Sequence, residues 1–143
     1  MRKLLLLSCI YFSAFGMENS MDKTALNDTT TIAHLKKIVL EFSQEREWQQ
    51  FHTPKNVSMA LAGEASELME HFLWVESKDS YTTAAEKKES VEQEVADVFC
   101  YLLTFCNQTG IDLAAALEKK MEINRIKYPV SKSKGKSTKY TDL

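Results

Sequence analysis

Residues 56–74 read NVSMALAGEASELMEHFLW, and their apolar members recur at the three- and four-residue spacing of a helix with one buried face. Glu64 falls inside this apolar stripe, three residues after Leu61 and four before Leu68, so a straight helix directs its carboxylate inward. Glu67 lies about 60° round the same side of the helix. The stripe itself consists of Val57, Leu61, Ala65, Leu68 and Phe72.

The same pattern returns in residues 90–105, SVEQEVADVFCYLLTF. Glu94 falls inside this second stripe, and Asp97 follows it three residues later. Two such helices would bring four carboxylates together where buried anions are costly, so a positive group is expected beside them. The second stripe consists of Val91, Val95, Val98, Leu102 and Phe105.

Charge counting favours a metal ion as that positive group. Two like charges about 5 Å apart repel by roughly 3 kcal/mol at an effective dielectric constant of about 20. From Glu41 to Asp97 the chain carries thirteen acids and five bases, so cationic side chains are scarce there. A hard divalent cation with oxygen ligands fits better. The alternative is that the acids form solvated faces of surface helices, as is common for a lone Glu-x-x-Glu.

Composition indicates one all-helical domain. The chain has 143 residues, 44% of them hydrophobic, with only four Gly and two Pro to interrupt helices. A net charge of −2 and a single short Lys-rich tail give no reason to expect a nucleic-acid partner. Cys100 and Cys106 lie six residues apart on one predicted helix, on different sides, which indicates reduced packing residues.

The first residues resemble a targeting segment. Arg2 and Lys3 give the chain a basic start, and the apolar run from Leu4 to Phe15 is typical of a secretory signal with cleavage after Gly16. This run is too short to span a bilayer. Alternatively, translation begins at Met17 or Met21. We expect a cytoplasmic protein without a membrane partner, and residues 1–28 are placed outside the fold.

Helix signals divide the remainder of the chain. The first helix is expected from about Thr31 to Glu47, with Asp28 or Thr29 as its cap. Thr53-Pro54 indicates the cap and first residue of the second helix. A loop is expected over residues 76–82, followed by a third helix over residues 83–108.

The ends of the third and fourth helices also carry local signals. Thr83 followed by Glu86 has the spacing of a capping box, and Gly110 suits a left-handed helix end. Asp112 is predicted to cap a fourth helix that stops before Pro129. Residues 131–143 are expected to form a flexible, disordered tail.

Four helices with short connections predict a four-helix bundle. Bundles with inward carboxylates include di-iron proteins, but those require Glu-x-x-His pairs. His34, His52 and His71 each lack a Glu three residues before them. The predicted ligands are therefore all oxygen, which favours Mg²⁺ or Mn²⁺.

The acidic motifs, Glu64-x-x-Glu67 after Gly63 and Glu94-x-x-Asp97, resemble those of the all-α nucleoside triphosphate pyrophosphohydrolases, the MazG-like superfamily. Further motifs are similar to its dCTP pyrophosphatase branch, and the resemblance covers roughly residues 38–129. These motifs are Glu45-Arg46-Glu47-Trp48-x-x-Phe51-His52-x-Pro54-x-Asn56, Phe72-x-Trp74 and Lys120-Met121-x-Ile123-Asn124-Arg125-x-x-Tyr128-Pro129.

The resemblance implies a reaction and a site. In that family four acids bind Mg²⁺, which holds the triphosphate while water attacks the α-phosphorus, releasing a nucleoside monophosphate and pyrophosphate. By this resemblance residues 29–130 form the catalytic domain, and the chain works as a homo-oligomer, a dimer or tetramer. The metal-binding and catalytic acids are Glu64, Glu67, Glu94 and Asp97. One of them, or Glu70, serves as the general base.

Substrate contacts are assigned to a second group of residues. Lys120 and Arg125 are the expected cationic contacts for phosphate oxygens, although Lys120 could instead lie along the core with its ammonium in water. Trp48 and Trp74 end their elements, where a flat ring can stack on a nucleobase. The resemblance adds Phe51, His52, Tyr101 and Asn124 to the pocket.

One position departs from the family pattern. The dCTP-specific members carry a His nine residues before the first pocket tryptophan, where this chain has Val39. This difference puts strict cytosine selectivity in doubt without affecting the activity class.

The function expected from the sequence is Mg²⁺-dependent hydrolysis of nucleoside triphosphates, with dCTP or a modified dCTP as the leading substrate, in nucleotide-pool housecleaning. Two alternatives remain at this point. One is a non-catalytic helical dimerisation module whose acids lie on the surface, and the other is a metal-dependent phosphohydrolase of other phosphate esters.

Overall fold

The structure is a computed structural model that describes Leu26 and residues 28–143, so the targeting-like segment lies outside the described residues. Regular structure in the described part is helical throughout, which confirms the all-α prediction. One compact unit ends at Gln108 and a second begins at Thr109. The bundle arrangement of four helices stays a prediction.

Six α-helices lie between residues 32 and 133, and 3₁₀ turns occupy two of the connections between them and the end of the chain. The α-helices are α1 (Ile32–Glu45), α2 (Pro54–Glu70), α3 (Ser80–Glu86), α4 (Lys88–Thr109), α5 (Leu113–Lys127) and α6 (Val130–Ser133). The 3₁₀ turns are Trp48–Gln50, Ser77–Asp79 and Tyr140–Asp142.

The N-cap of helix α1 lies two or three residues after the predicted caps. Thr31 is the N-cap, and its side chain accepts a hydrogen bond from the His34 amide at 3.1 Å. The prediction of Asp28 or Thr29 was therefore wrong, because the hydroxyl of Thr31 stands three residues before a free amide and can satisfy it. The helix stops at Glu45, and Glu47 adopts a left-handed backbone (φ 54°) that leads into the turn Trp48–Gln50.

Helix α2 begins as predicted. The Thr53 side chain accepts a hydrogen bond from the Asn56 amide at 3.2 Å, and Pro54 occupies the first turn, where no amide hydrogen is needed. The Asn56 side-chain amide donates to the carbonyl of Phe51 at 3.0 Å. Both bonds fix how the chain enters α2, the helix that carries Glu64.

The predicted third helix is instead two helices. Helix α3 starts at Ser80, inside the predicted loop, and Lys87 separates it from α4. Thr83 is not an N-cap, because its hydroxyl lies inside α3 and donates to the carbonyl of Asp79 at 3.1 Å. The turn Ser77–Asp79 starts the helical path earlier than a capping box at Thr83 would allow.

Burial differs in part from the predicted stripes. On α2, Val57 is fully buried and Glu64 is partly buried, whereas Ala65 and Glu67 are exposed. The buried face of α2 is thus centred between Glu64 and Leu68. Ala65 and Glu67 lie about 80° from that centre, on opposite sides of it. The stripe prediction was wrong at Ala65.

Helix α4 also departs from its predicted stripe. Val95 is 50% exposed, and the most buried residues are Leu103, Thr104 and Cys106, which point in different directions. The C-terminal half of α4 is therefore enclosed on several sides, where the sequence predicted one buried face. The Asn107 side chain joins this half to α1 by donating to the carbonyl of Lys36 at 2.9 Å. Cys100 and Cys106 are free thiols, as predicted.

On α1 the sequence predicts a buried stripe of Ile32, Leu35, Ile38, Val39 and Phe42, and this stripe is the least buried of the three. Leu35 and Val39 are partly buried, but Ile32, Ile38 and Phe42 are exposed. The ring of Phe42 is instead covered by the Arg46 guanidinium, whose carbon lies 3.7 Å from the ring centre.

The second unit, residues 109–143, follows its local signals. Gly110 takes the left-handed conformation (φ 68°), and the Asp112 side chain accepts from the Ala115 amide at 3.0 Å to cap α5. Helix α5 ends at Lys127, before Pro129, as predicted.

The tail after Pro129 contains regular structure. Helix α6 and the turn Tyr140–Asp142 lie within it, and the rings of Tyr128 and Tyr140 meet edge to face with centres 5.8 Å apart. The tail is thus not without structure, and its flexibility stays a prediction. None of the described helices is both long and apolar enough to cross a membrane.

Candidate metal centre and nucleotide site

Three carboxylates from two helices meet in the first unit. Glu64 on α2 and Glu94 and Asp97 on α4 each offer an oxygen, and these oxygens all lie within 4.8 Å of one another. All three residues are partly buried. This is the juxtaposition that the two acid-x-x-acid motifs predict, and the spacing allows one cation to contact all three oxygens.

Glu67, the fourth predicted ligand, lies one helical turn from Glu64 and is exposed. Its charge still acts on the cluster. The pKa of the Glu64 carboxyl is raised to about 6, first by burial and then by the negative charges of Glu67, Asp97 and Glu94. Burial also raises the pKa of the Asp97 carboxyl. The cluster therefore holds more negative charge than its surroundings stabilise.

The side of α4 that follows Asp97 extends this environment. Tyr101, one turn further on, is half-buried, and its pKa is raised by burial and then by the charge of Glu64. The pKa of the neighbouring Cys100 thiol is likewise raised by burial and by the charge of Asp97, although a hydrogen bond with Thr104 opposes this effect. Tyr101 thus lies beside the acids, where its predicted substrate role would require it.

Trp48, Phe51 and His52 lie together in the connection between α1 and α2. The ring of Trp48 meets that of Phe42 edge to face at 5.8 Å and that of His52 at 6.2 Å. His52 Nδ1 lies 3.2 Å from the buried hydroxyl of Ser43, and burial lowers the pKa of its imidazole. Phe51 is exposed over 60% of its surface, so this connection presents a free aromatic face.

Trp74 is presented in another way. It follows the end of α2 in a left-handed backbone conformation (φ 66°), and 95% of its surface is exposed. An indole with so little contact contributes little to folding, and its exposure supports a binding role.

The remaining predicted contacts, Lys120, Asn124 and Arg125, lie on α5 in the second unit. Lys120 and Arg125 are exposed, whereas Asn124 is partly buried. The alternative that Lys120 lies along a core is not supported, because its helix has no buried residue. Whether these three side chains take part in the site stays a prediction.

Sequence reasoning did not include one residue that contacts the acids. His71 follows directly after α2, and its Nε2 lies 3.9 Å from Glu94 Oε1, with both side chains about 20% exposed. Helical spacing indicates only the face on which His71 lies, because it is seven residues after Glu64 and therefore falls on the same side of the helix two turns later.

Comparisons with known proteins agree with the fold. The sequence model of the MazG-like family matches residues 60–143. The dCTP pyrophosphatase 1 of Rattus norvegicus is 39% identical over 115 residues, which are 79% of this chain and 68% of that protein. The dCTP pyrophosphatase 1 of Homo sapiens is 36% identical with the same coverage.

A solved structure is similar as well. A pyrophosphatase from Archaeoglobus fulgidus DSM 4304 has a TM-score of 0.67 and 38% sequence identity, covering 68% of this chain and 92% of the other. Together with the helical fold and the clustered acids, these relatives define the chain as a nucleotide pyrophosphohydrolase and not as a non-catalytic helical module. The chain belongs to the MazG-like family.

Proposed function

We propose that this chain is a Mg²⁺-dependent pyrophosphohydrolase that converts nucleoside triphosphates to monophosphate and pyrophosphate, with dCTP or a modified dCTP as its leading substrate. Such an activity would remove surplus or non-canonical nucleotides from the pool. The meeting of Glu64, Glu94 and Asp97 carries the proposal. The mammalian relatives are dCTP pyrophosphatases, which supports the choice of dCTP.

The chemistry of the donor set fits a hard divalent cation. All three groups are carboxylates, and burial together with the charges of Glu67, Asp97 and Glu94 raises the pKa of Glu64, so a bound cation would relieve an unfavourable environment. Glu64, Glu94 and Asp97 would hold Mg²⁺, or Mn²⁺ in its place, with Glu67 as a fourth ligand. When bound, the ion would stabilise charge on phosphoryl oxygens and lower the pKa of a water molecule.

The side chains around the cluster would orient the substrate. Trp48 and Trp74 would stack on the base, with Phe51 and His52 beside Trp48. The Tyr101 hydroxyl, beside Glu64 and Asp97, would meet the sugar or a phosphate. The proton acceptor for the attacking water is one of the four acids or Glu70, which is exposed on α2.

Phosphate oxygens would be bound by Lys120 and Arg125, a point charge and a planar fork of donors, with Asn124 supplying both a donor and an acceptor. The exposure of both cations on α5 supports this role. This chain has Val39 where the dCTP-specific pattern has His, so the proposed substrates include nucleotides with bases other than cytosine.

The chain is also proposed to act as a homo-oligomer in the cytoplasm, without a nucleic-acid partner. Large apolar side chains are exposed along α1, α2 and α4, including Phe42, Met59, Met69 and Val95, which are each about half exposed. Exposed apolar surface on several neighbouring helices supports association with further copies. Light scattering on the purified protein should give a dimer or tetramer.

Product analysis tests the activity. The protein is incubated with each natural and modified dNTP in the presence of Mg²⁺, and the products are separated. Monophosphate with pyrophosphate is expected, fastest for dCTP or a modified dCTP, and Asp97→Asn should abolish it. Diphosphate with orthophosphate would contradict attack at the α-phosphorus, and turnover of other phosphate esters alone would favour the other phosphohydrolase class.

A further inference from the structure

His71 provides a polar contact to the acidic cluster from outside the four predicted ligands. Its Nε2 lies 3.9 Å from Oε1 of Glu94, and both side chains are about four-fifths buried. His71 directly follows the C-terminal end of α2, seven residues after Glu64. On α4, Glu94 is nearer to the N-terminal end of the helix than Asp97. The ring therefore approaches Glu94 from the side of the cluster where α2 ends.

The backbone of His71 is anchored separately. Lys87, between α3 and α4, places its Nζ 3.4 Å from the His71 carbonyl and donates to it across sixteen residues of sequence. This carbonyl belongs to the end of α2, where carbonyl groups lack helical partners and attract cations. The bond therefore links the backbone of His71 to the residue that precedes α4. Helix α4 begins at Lys88, six residues before Glu94.

A histidine whose backbone is anchored beside a carboxylate can orient that carboxylate. Ligating carboxylates are commonly hydrogen-bonded in turn, and loss of such partners typically weakens metal binding by about 10- to 100-fold. A distance of 3.9 Å exceeds a hydrogen bond, but contacts of this kind are often long before a ligand binds and tighten afterwards.

We propose that His71 is a positioning residue for Glu94, which donates through Nε2–H to one carboxylate oxygen and so increases the affinity of the cluster for Mg²⁺. The inference rests on the metal site of the proposed function. The contact could also have the opposite effect, in which the imidazole binds the Glu94 carboxylate and competes with the cation for it. The two differ in the sign of their effect on Mg²⁺ affinity, so a single measurement separates them.

The test compares His71→Leu with His71→Gln, which keeps a side-chain N–H donor. Mg²⁺ dissociation constants are measured by calorimetry without substrate, and thermal melting without Mg²⁺ reports folding. We expect His71→Leu to bind Mg²⁺ about tenfold more weakly, and His71→Gln to recover most of the loss.

Lys87→Met gives an independent second variant, since it removes the anchor of the His71 carbonyl but leaves the ring. It should weaken Mg²⁺ binding in the same direction and by less. Unchanged or tighter binding in both His71→Leu and Lys87→Met would overturn the positioning role while leaving the metal site intact. Failure of the unaltered protein to bind Mg²⁺ would overturn the metal site itself, and this inference with it.

Discussion

Glu64 on α2 and Asp97 on α4 present carboxylate oxygens within 4.8 Å of each other, although both helices also contribute apolar residues to the fold. At an effective dielectric constant of about 20, two charges at that separation repel by roughly 3 kcal/mol, less the effect of solvent on partly exposed groups. The metal-free protein is therefore expected to be destabilised by its own site, and this effect can be measured.

Glu64→Gln should raise the melting temperature of the metal-free protein by roughly 2–5 °C, because an amide of the same shape removes the repulsion. The same substitution should abolish the stabilisation that Mg²⁺ gives the unaltered protein, since a ligand that binds only the folded state raises its stability. Thermal melting with and without Mg²⁺ measures both effects. Glu122→Gln, which removes an exposed carboxylate from α5, serves as the charge-matched control.

Stability should depend on pH through Glu64, whose pKa is raised from 4.5 to about 6. A raised carboxyl pKa means that the folded state binds the proton more tightly than the unfolded state. The metal-free protein should therefore lose stability as the pH rises from 4.5 to about 6.

Stabilisation by Mg²⁺ should increase over this same pH range, because the cation and the proton compete for one carboxylate. Melting curves across the range, with and without Mg²⁺, check the two opposite slopes. Glu64→Gln should flatten both, and a metal-free protein that becomes more stable as the pH rises would contradict the assignment.

Trp74→Ala should raise KM for the nucleotide by about 5- to 100-fold, the range expected when one base loses its stacking partner. Its melting temperature should barely change, because the indole is 95% exposed. Steady-state kinetics and thermal melting separate the two properties. Tyr81→Ala is a suitable control, since Tyr81 is 87% exposed and has no assigned role. An equal rise in KM for both variants would argue against a specific contact.

Lys120→Ala should raise KM for triphosphates by about tenfold or more, because a hydrogen bond to a charged group contributes on the order of 1.5–3 kcal/mol. The neighbouring Lys119 is equally exposed on α5 but points about 100° away, so Lys119→Ala should have little effect. Kinetics at constant ionic strength distinguish a specific contact from a general loss of positive charge. Equal effects from both lysines would indicate the latter.

Local signals predicted several elements correctly. The cap at Thr53 with Pro54, the left-handed Gly110 and the cap at Asp112 each depend on a few neighbouring residues, so the sequence alone contains the information. The meeting of Glu64 with Glu94 and Asp97 followed from helical spacing and from the cost of buried charge.

Features that depend on tertiary contacts were missed. The interruption at Lys87 has neither Gly nor Pro to mark it, and the preceding turn at Ser77–Asp79 starts α3 early. The contact between His71 and Glu94 depends on the relative register of α2 and α4, which no spacing within one helix can give. The exposure of Phe42 and Val95 was not predicted either. Apolar spacing identifies the apolar face of a helix, but it does not show whether another element covers that face.

The backbone at Trp74 has an evolutionary consequence. A bulky side chain in the left-handed region costs about 1–2 kcal/mol that glycine would avoid. Selection for folding alone would thus favour glycine at this position. The indole is therefore expected to be retained only while a function other than folding requires it. A descendant that had given up nucleotide chemistry would be expected to lose this tryptophan early and gain thermal stability by doing so.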